Sequence, residues 1–135
     1  MSKSPNLCPC GSNQKYTICC GKYHKGKLHA PTAETLMRSR YSAYVLDLPQ
    51  YIFRTWDEDT RPTLQSLREG KTENFISLEI LSSKNGDINE RDGTVEFIAK
   101  FKVGDEIFEH HENSTFKRVK NHWVYVEAIK TVLKT

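Results

Sequence analysis

The chain has 135 residues, the length of one domain with room for a small appendage. Hydrophobic residues at 37% and charged residues at 27% are a globular balance, which excludes a disordered or collagen-like chain, and no apolar run approaches the ~20 residues of a membrane-spanning helix. The net charge of +3 is divided unevenly: residues 1–30 hold Lys3, Lys15, Lys22, Lys25 and Lys27 and no acid, while the remainder holds 15 basic against 17 acidic groups.

All four cysteines, Cys8, Cys10, Cys19 and Cys20, lie in this basic head. A segment of 30 residues with so few large apolar side chains needs a metal or a disulfide to hold a shape. No apolar signal-peptide core follows Met1-Ser-Lys-Ser-Pro-Asn6, so the expected location is the cytoplasm. There disulfides stay reduced, and the favoured reading is one zinc ion on four thiolates. Such a centre carries a net charge of −2, which nearby ammonium groups offset. Two disulfides, or four unrelated buried thiols, are the competing readings. Adjacent Cys19 and Cys20 share one ion only in a turn or at a helix start. His24 is the alternative to Cys20 as fourth ligand; otherwise it is a solvated residue of a lysine-rich loop.

Cys8-Pro-Cys-Gly-Ser-Asn-Gln-Lys-Tyr-Thr-Ile-Cys-Cys-Gly21 resembles the SEC-C motif, the zinc-binding tail of the preprotein translocase ATPase SecA, which is also found on many other bacterial proteins. By position, the resemblance implies Cys8, Cys10, Cys19 and Cys20 as ligands. Asn13 stands where the family usually has Gly, and Asn tolerates a left-handed backbone next best. The resemblance divides the chain into a zinc module over 1–30 and a body over 31–135.

In the body, residues 32–46 read as a helix capped by Thr32, with Leu36, Met37, Tyr41, Tyr44, Val45 and Leu48 at helical spacing. Arg40 falls inside that apolar stripe and needs a partner there. Asp47 and Gln50 suggest a capping box for a second short helix, and a third runs from about Pro62 to Glu69. After Gly70 the period becomes two. Ile76, Leu78 and Ile80 are expected on one face of a first strand. Val95, Phe97, Ala99, Phe101 and Val103 are expected on one face of a second. Ile107–Val119 forms a third, and Trp123–Lys130 a fourth with Val124, Val126 and Ala128 together. Asn85-Gly86, Gly104-Asp105 and Lys120-Asn121 are turns. The pattern is α+β, with helices on one face of an antiparallel meander.

This order resembles the cone-shaped α+β fold of nuclear transport factor 2-like proteins. Leu36-Met-Arg-Ser-Arg-Tyr-Ser-Ala-Tyr44, Tyr51 with Thr55-Trp56, Val95-Glu-Phe97, Glu112-Asn-Ser-Thr-Phe116 and Trp123-Val-Tyr-Val126 are similar to the YchJ-like bacterial family, which pairs a SEC-C head with that fold. The resemblance implies a fold and a metal; it implies no reaction.

A cone holds a pocket, and its candidate lining is Arg40, Tyr41, Trp56, His110, Glu112, Ser114 and Trp123, with Tyr125 beside them. Phe108, His110, Glu112, Ser114 and Phe116 share the inward face of the third strand, which makes Glu112 the expected ion-pair partner of Arg40. A carboxylate beside a permanent cation is a weak base. No Gly-rich phosphate loop or nucleophile elbow occurs, and no residue is assigned a catalytic role. Two functions follow. The zinc head docks a protein, or a ribosomal or RNA surface through Lys15-Tyr16 and Lys22-Tyr23. Alternatively, the cone pocket holds a small molecule.

Overall fold

The structure is a computed structural model that describes residues 6–26, 28–70 and 73–135. Lys3 and Lys27 of the basic head lie outside the described residues. A 3-10 turn at Tyr16–Ile18 and a one-turn helix, α1 (Gly21–His24), form the head. Three further helices follow: α2 (Ala33–Leu46), α3 (Pro49–Arg54) and α4 (Leu64–Glu69).

Thr32 starts α2 as its sequence predicts, with Oγ1 accepting from the Thr35 N–H at 3.1 Å. Asp47 is not the cap of the next helix. It closes α2 in a left-handed conformation (φ 59°), and α3 starts after Leu48 with Pro49 in its first turn. The short side chain of Asp tolerates that backbone, and this use wins over the capping box. Thr63 caps α4.

Helix α2 is buried on more than one face. Ser39, Ser42 and Ala43 are as inaccessible as Leu36 and Met37. The head packs on one side, the sheet on another and α3 on a third, and the small residues let these neighbours approach closely.

Four strands, β1 (Asn74–Asn85), β2 (Asp92–Val103), β3 (Glu106–Val119) and β4 (His122–Lys134), form an antiparallel meander in the order β1-β2-β3-β4. All three expected turns carry the positive φ their residues predict: Asn85 and Gly86, Gly104, and Lys120 with Asn121. Helix α2 lies across the sheet, whose core side presents Val95, Phe97, Ala99 and Phe116. Val103, the last of the expected apolar row, is exposed. The start of α2 is docked on the β1–β2 connection, where the Ala33 N–H donates to Gly86 O at 3.0 Å. A Cβ on Gly93 would stand 2.5 Å from the Gly86 Cα, so the backbones meet there only as glycines.

Two strand faces differ from the sequence expectation, and bulges explain both. Ile76 has no partner in the ladder between Phe75 and Ser77. The alternation slips by one, so Phe75, Leu78 and Ile80 pack on the core and Ile76 is exposed. In β4 the unpaired residue is Val126. Trp123 and Tyr125 therefore pack inward ahead of it, in place of Val124 and Val126. Bulges of this kind re-aim side chains and bend the strand.

Candidate functional site

The head folds back on itself through a bridge between Leu7 and Lys15. The Cys8 N–H donates to Gln14 O at 2.9 Å, and the Gly11 N–H to Cys8 O at 3.3 Å. Asn13 takes φ 65°, the left-handed value predicted where Gly is usual. The 3-10 turn then delivers Cys19, and Cys20 caps α1. Gly21 is required here, because a Cβ would stand 2.7 Å from Tyr16 O and 2.9 Å from the Tyr16 ring.

These turns bring the four Sγ atoms within 4.8 Å of one another. None is in a disulfide, and Cys8, Cys10 and Cys20 are buried. Four sulfurs at ~2.3 Å from one tetrahedral ion stand about 3.8 Å apart, so the set can hold one metal ion with little adjustment. Ser42 Oγ lies 3.5 Å from Cys8 Sγ and Ser12 Oγ 3.1 Å from Cys19 Sγ. So many thiols cannot all ionise unaided. Hydrogen bonds from Cys10 and Cys20 push the Cys8 thiol down, while contacts to Cys10 and Cys8, together with burial, push Cys20 up. A cation supplies the missing charge and deprotonates coordinating thiols.

The cation that reaches this loop is not one of the described lysines. Arg38 of α2 donates from Nη1 to Cys10 O at 3.0 Å and is held by Glu34 at 3.1 Å. His24 is neither solvated nor free to coordinate. Its Nε2–H donates to Ser39 O at 2.8 Å, and its Nδ1 accepts from the Tyr16 hydroxyl at 2.6 Å. Burial pushes its pKa down, which favours this neutral tautomer. The ring is a strut between head and α2. Tyr16 is thus engaged at its hydroxyl, and Tyr23 packs on the Ala43, Tyr51 and Ile52 cluster.

Arg40, on another face of α2, lines a cavity of about 200 Å³ between the helices and the core side of the sheet. Tyr41, Trp56, His110, Glu112 and Ser114 line it too, as does Tyr125. Trp123 does not: it is buried elsewhere, its indole N–H donating to Pro31 O at 3.0 Å. The expected Arg40–Glu112 ion pair is absent. Arg40 Nη1 donates to Ile52 O at 2.9 Å and to Thr55 Oγ1 at 2.8 Å. Its guanidinium lies 5.0 Å from the Trp56 ring centroid and 4.6 Å from that of Tyr125. The Thr55–Asp57 segment is fixed for this by its pairing with β4, through bonds of 2.8 Å in each direction between Tyr125 and its neighbours Thr55 and Asp57. Glu112 is not depressed by its cations. Burial outweighs Lys130 and Arg40 and pushes its pKa up, as it pushes the Tyr125 hydroxyl up to about 12.

A family model described as "YchJ, middle NTF2-like domain" matches residues 32–128, and a "SEC-C motif" model matches residues 5–22. The chain belongs to the YchJ NTF2-like family. Among relatives of this domain, UPF0225 protein SCO1677 of Streptomyces coelicolor is 43% identical over 121 residues, covering 90% of this chain and 93% of the relative. UPF0225 protein BPP1723 of Bordetella parapertussis is 40% identical and covers 93% of each chain. Two solved structures share the fold. The solution structure of RPA3114, a SEC-C motif containing protein from Rhodopseudomonas palustris, has a TM-score of 0.80 at 36% identity and covers 91% of this chain and 97% of its own. The crystal structure of a SEC-C motif containing protein from Psychrobacter arcticus has a TM-score of 0.78 at 32% identity, covering 92% and 82%.

The SEC-C segment and the YchJ-type domain together place several site residues beyond the sequence expectation. Arg38, Ser12 and Ser42 surround the sulfurs. Met37, Glu73, Phe75 and Lys130 complete the cavity wall. For Lys130 the signal lies in β4 itself, because the Val126 bulge restores Ala128 and Lys130 to the inward phase. No helix among the described residues is long and apolar enough to cross a membrane.

Proposed function

We propose that Cys8, Cys10, Cys19 and Cys20 hold one structural zinc ion, and that the resulting head docks a protein partner. The observation that carries the reading is the convergence of four soft donors within 4.8 Å. Tetrahedral zinc takes four thiolates and leaves no open position for a reacting water, so the centre serves shape rather than chemistry. Next to the ligands in sequence, Leu7 and Ile18 are exposed, as are Lys15 and Lys25, with no acid nearby in sequence. Apolar contacts rimmed by ammonium groups suit an acidic protein surface. The aromatic rings that base stacking would need, Tyr16 and Tyr23, are turned into the fold, which favours protein over RNA.

The test has two parts. Metal analysis of the purified chain should return one zinc per chain, and a chelator should lower its melting temperature. A pull-down with the zinc-loaded chain should recover a partner that is lost when Ile18 and Lys15 are changed to Glu. Recovery of ribosomal RNA insensitive to Ile18→Glu would instead favour the ribosomal partner.

A second reading is small-molecule binding in the cavity beside Arg40. It is supported by that partly open space of about 200 Å³ and by the polar groups in its largely apolar wall.

A further inference from the structure

Arg40 is only 6% exposed. No carboxylate lies within ion-pair distance of it among the described residues. Buried charges are ordinarily paired, because an unpaired one is costly. Aromatic faces and one backbone carbonyl offset part of that cost, and they also fix the guanidinium in place. Trp56 and Tyr125 cover it, and Nη1 is spent on Ile52 O and Thr55 Oγ1. Nε and Nη2 donate to no described residue. They form the planar fork that matches a carboxylate.

The rest of the wall says what the carboxylate should be attached to. Met37, Tyr41, Phe75, Phe97 and Phe116 make most of it apolar and flat-sided. An engineered cavity of ~150 Å³ takes benzene, so about 200 Å³ has room for one ring and a carboxylate. Exposed Glu73 and Lys130 and half-buried Glu112 also line it. Glu112 pulls on Arg40 electrostatically but makes no ion-pair contact with it, so the buried guanidinium has no carboxylate in contact among the described residues. Among the described residues, two ring nitrogens of the wall, Trp56 Nε1 and His110 Nδ1, have no hydrogen-bond partner. Buried polar atoms left unpaired are rare and call for an explanation.

We propose that this cavity binds a small aromatic monocarboxylic acid, with its carboxylate on Arg40 and its ring against Phe97 and Phe116. The proposal rests on the small-molecule reading of the cavity and names the ligand chemistry for it.

The test is a titration of the full, zinc-loaded chain with benzoate and with benzamide, its neutral analogue, followed by amide and indole NMR shifts. Benzoate should give saturating shifts centred on Trp56, Tyr125 and the middle of β3. Benzamide should bind at least about tenfold more weakly, since a bidentate ion pair is replaced by a cation bonded to one neutral carbonyl. Arg40→Lys keeps the charge but removes the fork, and should weaken benzoate about tenfold while leaving benzamide unchanged. Should that variant not fold, Ala99→Leu serves in its place: it fills the cavity from the sheet side and should abolish both titrations. Equal affinity for the acid and the amide would overturn the carboxylate assignment and leave the cavity reading standing. No saturable shift with either probe, or shifts confined to exposed lysines, would overturn both.

Discussion

The thiol head and the cavity stand on the same helix and are built in opposite ways. On the head side α2 offers two short groups, the Ser42 hydroxyl and the Ser39 carbonyl, and one long one, Arg38, which bonds a loop carbonyl. Chain turns do the positioning, and the sulfurs converge because the backbone does. On the cavity side α2 sends out long groups, Met37, Arg40 and Tyr41, and a distant strand decides what they meet. A site made by local turns is rigid once its turns are set. A site made across a sheet depends on register. The comparison predicts that the head fails abruptly and the cavity by degrees.

The largest effect expected is at the sulfurs. Cys8, Cys10 and Cys20 belong to one packed cluster with Leu36, Met37, Val95 and Phe116, so the head is not a detachable tag. Cys20→Ser, or chelation of the wild type, should destabilise the chain by roughly 4 kcal/mol or more. The loss should appear in calorimetry as a single transition moved to lower temperature. Two separate transitions would show that head and body fold independently.

Gly21→Ala comes next. Its Cβ meets the Tyr16 carbonyl at 2.7 Å and the ring at 2.9 Å, and backbone must shift to admit it. Urea unfolding should show a loss of about 2–3 kcal/mol. An unchanged midpoint would mean that the head yields easily, which contradicts its rigidity. His24→Leu should cost less, about 1–2 kcal/mol for the bonds to Tyr16 and Ser39. It should leave the zinc content of the purified chain unchanged. A fall in zinc content would make His24 a ligand rather than a strut.

The same contrast governs what could be read from sequence. The cysteine cluster was visible because Cys-Pro-Cys and Cys-Cys-Gly are local turn signals, and Asn13 could be judged on its own backbone tolerance. The Thr32 cap and the Asn85-Gly86, Gly104-Asp105 and Lys120-Asn121 turns are local in the same sense. The faces of β1 and β4 were misjudged because nothing nearby announces that Ile76 and Val126 drop out of the ladder. The period of two is only a rule between bulges. Arg40 was correctly expected inside and wrongly partnered. Inward phase puts Glu112 on its side of the sheet, but the width of the cavity is a tertiary quantity, and two aromatic rings reach the guanidinium first.

The smallest expected effect tests that last point. Burial holds the folded-state pKa of Glu112 above the ordinary carboxylate value, with Glu73 adding to the rise and Lys130 and Arg40 opposing it. A raised folded pKa contributes stability that is present at low pH and is lost as pH rises through that value. Gln resembles the protonated acid at all pH values, so Glu112→Gln should be slightly more stable than wild type at pH 7. The gap should close as pH falls toward 4.5 and the wild-type carboxyl takes up its proton. His110 works in the opposite sense: burial lowers its pKa, so its contribution is lost as pH drops from 6.5 downward. It is present in both proteins and cancels in the difference between their melting temperatures. A variant less stable than wild type at pH 7 would mean that attraction to Arg40 and Lys130 outweighs burial. Glu112 would then act as the counter-ion of Arg40 after all, and the cavity would have no unpaired cation to offer a ligand.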